Sequence, residues 1–380
     1  MKDFKIDKSK WIKTKLFDLA EEISEREDNP GESEYDRFVG LEHFVSGDLK
    51  IKKWTTTEGL TSAAKVFKAG DVLFARRNAY LRRASMVDFD GLCSGDAFVL
   101  RENHKKIVPG FLSFILNSDK LWDFANANAA GTMSKRVKWR DLGNYEILLP
   151  PKDQQAKLAE LLWAGDEVVE KYNLLLTNTE AFYNVKLEHS YKKNKESISI
   201  DRTGNVNSKS LSNSTPKDYE FRYLDIAGIT APKRIGELEK IIFENAPSRA
   251  RRIVSDGDIV LSLVRPYFQS FVVVENGKDI ISSTGTAVLS VNKEFNRDYV
   301  FHSFFTKKFL SFCEERMNGT NYPAITPNDL KDFKIPLLSK ELQNRIAKEL
   351  NEIDVSKLKI ENLVLQSKQI QKQLINQIFS

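Results

Sequence analysis

The chain is written twice. From Gly131 it runs GTMSKRVKWRDLGNYEILLPPKDQQAKLAELL, and from Gly319 it runs GTNYPAITPNDLKDFKIPLLSKELQNRIAKEL. At a constant offset of 188 residues, Gly131 and Thr132 meet Gly319 and Thr320, and Asp141 and Leu142 meet Asp329 and Leu330. The register continues through Ile147 and Ile335, Leu149 and Leu337, Gln155 and Gln343, Ala159 and Ala347, and Leu162 and Leu350. Agreement without gaps over that distance marks an internal duplication, which predicts two copies of one structural unit. Looser anchors lie upstream: Gly70-Asp71 opposite Gly257-Asp258, Tyr80 opposite Tyr267, and Ser94-Gly95 opposite Thr284-Gly285. Between the anchors the copies have little in common. Two binding modules tuned to different targets would look like this, and so would drift after a duplication.

Each copy divides again by periodicity. In the first, Phe38-Val39, Val72 to Phe74, Ala84 to Val87, Ala97 to Leu100 and Tyr145 to Leu149 read as short strands, with Gly, Asp and Asn at the turns. One helical stretch, Pro109 to Phe124, interrupts them. The second copy keeps the order, with strands over Ile259 to Leu263, Phe271 to Val274 and Ala287 to Val291, then a helix over Asp298 to Arg316. Both modules are therefore expected to be α+β and mostly strand.

Each module is succeeded by a segment of another kind. After Pro150-Pro151, residues 153 to about 195 favour helix, with Leu158, Leu162, Gly165, Val169, Tyr172, Leu176, Thr179 and Tyr183 in steps of four and three. After Ser339, a fitting N-cap, residues 340–379 contain neither Gly nor Pro. Ile346, Leu350, Ile353, Ile360, Leu363, Ile370 and Leu374 form a similar stripe. A helix of some 40 residues would be roughly 60 Å long, and a lone helix cannot hide such a stripe. The predicted partner of each is the other copy. The resulting fold class is α+β: two tandem, mostly-β domains separated by two long helices forming an antiparallel coiled coil. The expected boundaries are 1–151, 152–197, 198–338 and 339–380, the third opening on a linker. That linker, Ser197 to Asp218, is rich in Ser, Asn and Lys and fits an exposed connector.

Composition narrows the class of function. Lys and Arg number 58 against 53 Asp and Glu, a net charge of +5, so a nucleic-acid surface would have to be a local patch. No apolar run approaches the roughly 20 residues of a membrane helix, and the basic start has no apolar stretch after it, so neither a membrane nor a secretory route is expected. Two distant cysteines, Cys93 and Cys313, exclude a disulfide framework and fit a reducing cytoplasm. No Gly-Lys-Ser or Gly-Lys-Thr phosphate loop, no Asn/Asp-Pro-Pro-aromatic tetrapeptide and no Glu-x-Lys triplet is present. His43, His104, His189 and His302 are isolated, without spacing for zinc. Catalytic and metal sites are expected to be absent.

Basic clusters point to binding instead. Arg76, Arg77, Asn78, Tyr80, Arg82 and Arg83 lie between two predicted strands, and Lys135, Arg136 and Lys138 come after Gly131-Thr132. Residues 65–140 hold 14 basic and 7 acidic side chains, a local excess larger than that of the whole chain. The second copy offers Arg249, Arg251 and Arg252, then Arg265 and Tyr267, and Asn321 and Tyr322 after its own Gly-Thr. A guanidinium fork can engage phosphate or the O6/N7 edge of guanine, which makes these residues the candidate DNA-binding set. A solvated charged surface would carry the same residues.

At this point the residues match a family. Gly70-Asp71-Val-Leu-Phe-Ala-Arg76-Arg77-Asn-Ala-Tyr80-Leu, Asp88-Phe-Asp90-Gly91-Leu-Cys93-Ser94-Gly95-Asp96 and Leu148-Leu149-Pro150-Pro151-Lys-Asp-Gln154-Gln155 resemble the specificity subunit of type I restriction–modification enzymes. The resemblance covers both copies and both helices. The second copy departs where Leu338-Ser339 replaces Pro150-Pro151 and where Val264 replaces Arg77. The resemblance implies two target-recognition domains, each reading half of a bipartite site in double-stranded DNA, with the helices setting the unread spacing. It also implies partners: two methyltransferase subunits on the helical region, and translocase–nuclease subunits that complete the complex. S-adenosylmethionine, ATP and magnesium would belong to those partners, and this chain would need no cofactor. Two other readings of the sequence remain, a duplicated coiled-coil scaffold binding RNA or protein, and the partner of a single-chain methyltransferase–nuclease.

Overall fold

The structure is a computed structural model that describes residues 6–192, 196–230 and 233–379. It falls into two compact units, Met1–Leu174 with Ile360–Ser380, and Leu175–Lys359.

In the first unit a four-stranded antiparallel sheet runs in the order Ala20–Ile23, Ala97–Glu102, Val72–Ala75, Ala84–Met86. A second sheet has the order Arg26–Glu27, Ala64–Phe67, Gly91–Cys93, Arg37–Val39, Thr55–Thr56, with Arg37–Val39 parallel to Gly91–Cys93. Ile12–Lys15 pairs with Glu146–Leu149. Val72 to Ala75 are all buried because both faces of that strand are covered. On one face Phe74 stacks on Trp122 at 4.6 Å, within a core that also takes Leu158 and Leu162 from the first long helix (Lys152–Lys192) and Ile375, Ile378 and Phe379 from the second (Lys340–Phe379).

The second unit repeats this wiring. Gly204–Val206, Thr286–Val291, Ile259–Ser262 and Phe271–Val273 form its four-stranded sheet. Lys240–Ile242, Glu220–Leu224, Ile280–Ser283 and Ala250–Val254 form the other, again with one parallel pair, Glu220–Leu224 beside Ile280–Ser283. Ser197–Ser199 pairs with Lys334–Pro336. The order of the four shared strands in each sheet, the position of the parallel pair and the closing two-stranded ladder therefore match between copies whose sequences have largely diverged. Among the described residues, the edge strand Arg26–Glu27 has no counterpart strand in the second sheet.

The helix expected over Pro109 to Phe124 is two, Phe111–Leu116 and Asp119–Ala127. Asn117 donates its side-chain amide to the Ser113 and Ala84 carbonyls and Ser118 donates to Ile115, so side chains compete with the helical ladder. The helix expected over Asp298 to Arg316 breaks likewise, into Arg297–Ser303 and Lys307–Glu314, where the Thr306 hydroxyl accepts from the Phe309 amide. The expected linker is partly built into the module: residues 197–206 contribute two strands and the buried Ile200 and Thr203. Its Ser-rich composition reflects the turns beyond them.

The long helices pair antiparallel in each unit. In the second, Lys186 meets Glu349 at 2.7 Å and Glu180 meets Lys357 at 3.7 Å. In the first, Gln371 donates to the buried Asp166 at 3.2 Å while Leu158 and Leu162 share a core with Ile375 and Phe379. The stripe expected on the second helix is displaced toward its end. Leu363 and Ile370 are exposed, and Ile360, Val364, Gln371, Ile375 and Ile378 are buried. A buried glutamine, kept there by its carboxylate partner, hid the true period. The first helix ends at Lys192, and the remainder of its expected span, 193–195, lies outside the described residues.

A buried polar chain ties the second module to its helices. Lys233 donates to the Tyr183 hydroxyl at 2.9 Å and pairs with Asp354. The Asn351 side-chain amide nitrogen donates to Asp298, which leaves its oxygen to accept from His302 Nε2 at 2.8 Å. His302 Nδ1 is then the acceptor for the Tyr183 hydroxyl at 2.9 Å, so the ring is neutral with its proton on Nε2. Burial pulls His302 down to about 4 and Lys233 down to about 8.

Candidate nucleic-acid interface

Each module builds one surface from two loops. In the first, the strand Val72–Ala75 runs into a single turn of 3-10 helix, Ala79–Leu81, flanked by Asn78 at φ 56° and Arg82 at φ 49°. In the second, Ile259–Ser262 leads into Pro266–Phe268, flanked by Arg265 at φ 48° and Gln269 at φ 52°. Left-handed non-glycine residues cost about 1 kcal/mol or more each. Here the same pair of them recurs under Asn-Ala-Tyr-Leu-Arg and Arg-Pro-Tyr-Phe-Gln, which share only the tyrosine.

The Gly-Thr loop packs beside that turn in both copies. Its glycine sits at φ 127° in Gly131 and φ 99° in Gly319, a conformation that disfavours any side chain. The Asn78 amide donates to Lys135 at 2.9 Å and the Arg265 amide to Pro323 at 2.7 Å. One step out, Val137 donates to Arg76 at 2.9 Å and Ile325 to Leu263 at 3.0 Å. The backbone is one scaffold used twice, and the tips differ: Met133-Ser134-Lys135 in one, Asn321-Tyr322-Pro323 in the other.

The structure divides the predicted residues by what their side chains already hold. In the first module Arg136 makes two hydrogen bonds to Asp96, at 2.7 and 3.1 Å, and it holds the Asp96 carboxyl below the usual carboxylate range. Arg82 is engaged by Asp119 and Asp123. Arg83 donates to the Leu41 carbonyl at 2.9 Å and the Arg77 carbonyl at 3.3 Å. Arg76 lies 5.6 Å from the Phe98 ring centre and 4.0 Å from Asp96, with its Nε lacking a hydrogen-bond partner. Arg77 donates to the Ser134 hydroxyl at 2.7 Å, lies 3.6 Å from Asp96 and is 45% exposed. Tyr80, Lys135 and Lys138 are exposed, and Asn78 is half-buried in the turn. In the second module the Arg265 guanidinium lies 4.9 Å from the Tyr322 ring centre and donates to the Asn321 carbonyl at 2.8 Å. Tyr267 packs edge-on against the exposed Phe268 at 4.7 Å.

Arg249, Arg251 and Arg252 come from another element. They lie at the start of and along Ala250–Val254, a strand of the other sheet whose counterpart in the first module is Ala64–Phe67. Arg251 sits 4.9 Å from the Phe243 ring centre, Arg252 donates to Ser210 at 3.2 Å, and Arg249 is exposed. By ladder register Arg252 takes the place of Lys65 and Ile253 that of Val66, whereas Arg251 falls at the register shift between Ala250 and Arg252. Sequence reasoning missed Asp96, Ser134 and Phe268 as members of the surface. Asp96 comes directly after the Ser94-Gly95 turn, but its proximity to Arg136 is a tertiary fact.

No protein-family model matches the chain. Across 97% of its length, and 97% of the other's, it superposes with a TM-score of 0.60 at 23% identity on a chain solved for the assembly and conformational transition of the type I R-M system. It shares its fold likewise with the type I restriction–modification system S subunit from M. genitalium, with a TM-score of 0.59 at 14% identity over 100% of this chain and 98% of that one. In sequence it is 24% identical over 160 residues to the type I restriction enzyme EcoDI specificity subunit of Escherichia coli, a match spanning 41% of this chain and 35% of that one. It is 24% identical over 290 residues to the type I restriction enzyme MjaVIII specificity subunit of Methanocaldococcus jannaschii, spanning 70% of this chain and 68% of that one. The specificity-subunit resemblance read from the motifs is thus met independently by sequence relatives and by fold. Among the described residues no group of three potential metal ligands comes together, and no helix is long and apolar enough to cross a membrane. Cys93 and Cys313 are buried and free, their thiols pushed up to about 12 by burial.

Proposed function

We propose that this chain is the DNA-reading specificity subunit of a type I restriction–modification complex, itself without a catalytic centre. The observation that carries the proposal is the repeated loop pair. One backbone scaffold, strained at the same two positions, presents arginine and exposed aromatic side chains in each copy, with different residues at the tips. Scaffold constancy with tip divergence fits two readers of two different short sequences. Arg76, Arg77, Asn78, Tyr80, Lys135 and Lys138 would face the first half-site, and Arg265, Tyr267, Asn321 and Tyr322 the second. Arg82, Arg83 and Arg136 would act by holding the loops, and Arg249, Arg251 and Arg252 would meet the flanking backbone, where phosphate contacts position without specifying.

In this reading residues 1–151 and 198–338 are target-recognition domains, and the helices 152–197 and 339–380 both fix the number of unread base pairs and receive two methyltransferase subunits. Two linked readers combine affinities that neither small module reaches alone. Partner subunits would supply S-adenosylmethionine-dependent adenine methylation and ATP- and magnesium-dependent restriction, in the cytoplasm where the DNA lies. A gel-shift series on duplex DNA across salt concentrations tests the reading: cationic contacts to phosphate predict a steep fall of affinity with salt and a preference for one duplex over its scrambled competitor. Binding that favours RNA, or no binding, would move the chain to the scaffold class.

A further inference from the structure

In the first module one carboxylate faces three guanidinium groups. Asp96, half-buried, holds Arg136 by two hydrogen bonds, and stands 3.6 Å from Arg77 and 4.0 Å from Arg76. The three arginines, Arg76, Arg77 and Arg136, lie 20, 19 and 40 residues away in sequence, and Arg76 and Arg77 frame the strand end that the Gly131–Arg136 loop covers. The remaining donors are distributed unevenly. Arg136 spends Nε and Nη2 on Asp96 and turns Nη1 to the Ser134 carbonyl at 3.4 Å. Arg77 spends Nε on the Ser134 hydroxyl, and Arg76 stacks over Phe98. Asp96 therefore neutralises the arginine that seats the loop and leaves the outer two with forks to spare.

The second module does this differently. Gly285 occupies the position of Asp96: its carbonyl accepts from the Leu263 amide at 3.0 Å, as the Asp96 carbonyl accepts from the Arg76 amide at 3.0 Å, and it brings no carboxylate. There the single arginine, Arg265, is oriented by the Tyr322 ring and the Asn321 carbonyl. One module aims its guanidinium groups with a charge, the other with a ring.

We propose that Asp96 is the positioning residue of the first half-site: through Arg136 it seats the Gly131–Arg136 loop and it aims Arg76 and Arg77 at the bases, without touching DNA itself. This rests on the DNA-reading function proposed above. Removing the carboxylate leaves three like charges that separate by repulsion, so phosphate attraction persists while the geometry needed for a bidentate base contact is lost.

The test is selection of bound sequences from randomised duplexes by the full chain, comparing wild type with Asp96→Asn, which keeps the shape and removes the charge. The expected result is that wild type enriches two short blocks and that Asp96→Asn loses discrimination in one block by about tenfold or more. The other block persists, and non-specific affinity at low salt is undiminished. A merely structural role would lower total affinity and blur both blocks together. Should Asp96→Asn fail to melt cooperatively, the same selection is read on Arg136→Lys, which keeps the charge and removes the two-point grip. Loss of both blocks, or of neither, overturns the proposal. A wild-type chain that enriches no sequence overturns the DNA-reading function instead.

Discussion

Arg77 and Arg82 lie five residues apart on one loop, and the structure predicts opposite consequences for their loss. Arg82 is tied to Asp119 and Asp123, the latter at 3.2 Å and itself 71% exposed. Such pairs are screened, and Asp119 would keep Asn376 at 2.7 Å and Lys372 at 3.4 Å as partners. Arg82→Ala should therefore cost the first unit about 1 kcal/mol and lower Tm by about 2–4 °C. Its guanidinium is already spent, so affinity for DNA should stay within about twofold. Arg77 holds the Ser134 hydroxyl and one long contact, 3.6 Å, to Asp96, which Arg136 already engages, and it is 45% exposed. Arg77→Ala should leave stability within about 0.5 kcal/mol, while removing about 1–3 kcal/mol of discrimination, or roughly 5- to 150-fold, if it reads a base. Calorimetry of each variant and fluorescence anisotropy on the selected duplex measure both quantities on the same samples. If Arg82→Ala weakens binding as much as Arg77→Ala with Tm unmoved, the division of this loop into holding and reading residues is wrong.

Tyr322→Ala should weaken binding to duplexes intact in the second block by about two- to fivefold through the lost ring beneath Arg265, Tyr322→Phe should not, and anisotropy separates them. Leu350, fully buried where the second helix meets its module, should cost about 2–5 kcal/mol on replacement by alanine, read from the urea midpoint. His302, buried and neutral with its pKa near 4, resists a proton that the unfolded chain accepts below about pH 6.5. Its contribution is whole above pH 6.5 and is lost as pH falls toward 4, a difference of about 3 kcal/mol. His302→Gln should flatten that slope in denaturation series from pH 7 to 4, and an unchanged slope would contradict the burial argument.

Much of this was legible in the sequence because duplication leaves a signal that single motifs do not. The constant offset pointed to two similar modules, and the absence of Gly and Pro after Ser339 predicted the second helix as the structure has it. The illegible parts share a cause, polar side chains whose partners are distant in sequence. Gln371 reads as a surface residue until Asp166 is placed beside it. Asn117 and Ser118 read as helix interior until their hydrogen bonds to backbone carbonyls are seen. Arg82 and Arg136 read as free cations, and only the fold supplies Asp119 and Asp96. Composition misled about residues 197–206, where a buried Ile200 and two ladders outweigh the serine and asparagine around them.

The central claim is that one chain reads two sequences at a set separation and directs modification there. Mapping N6-methyladenine in cells that carry this chain with its methyltransferase, and in cells lacking only this chain, tests it most directly. The account predicts a single asymmetric motif of two specified blocks around a fixed unread gap, modified only when the chain is present. It predicts a longer gap when one heptad is inserted after Val185 with a matching heptad in the second helix. Methylation that persists without the chain, or a continuous motif without a gap, would contradict it.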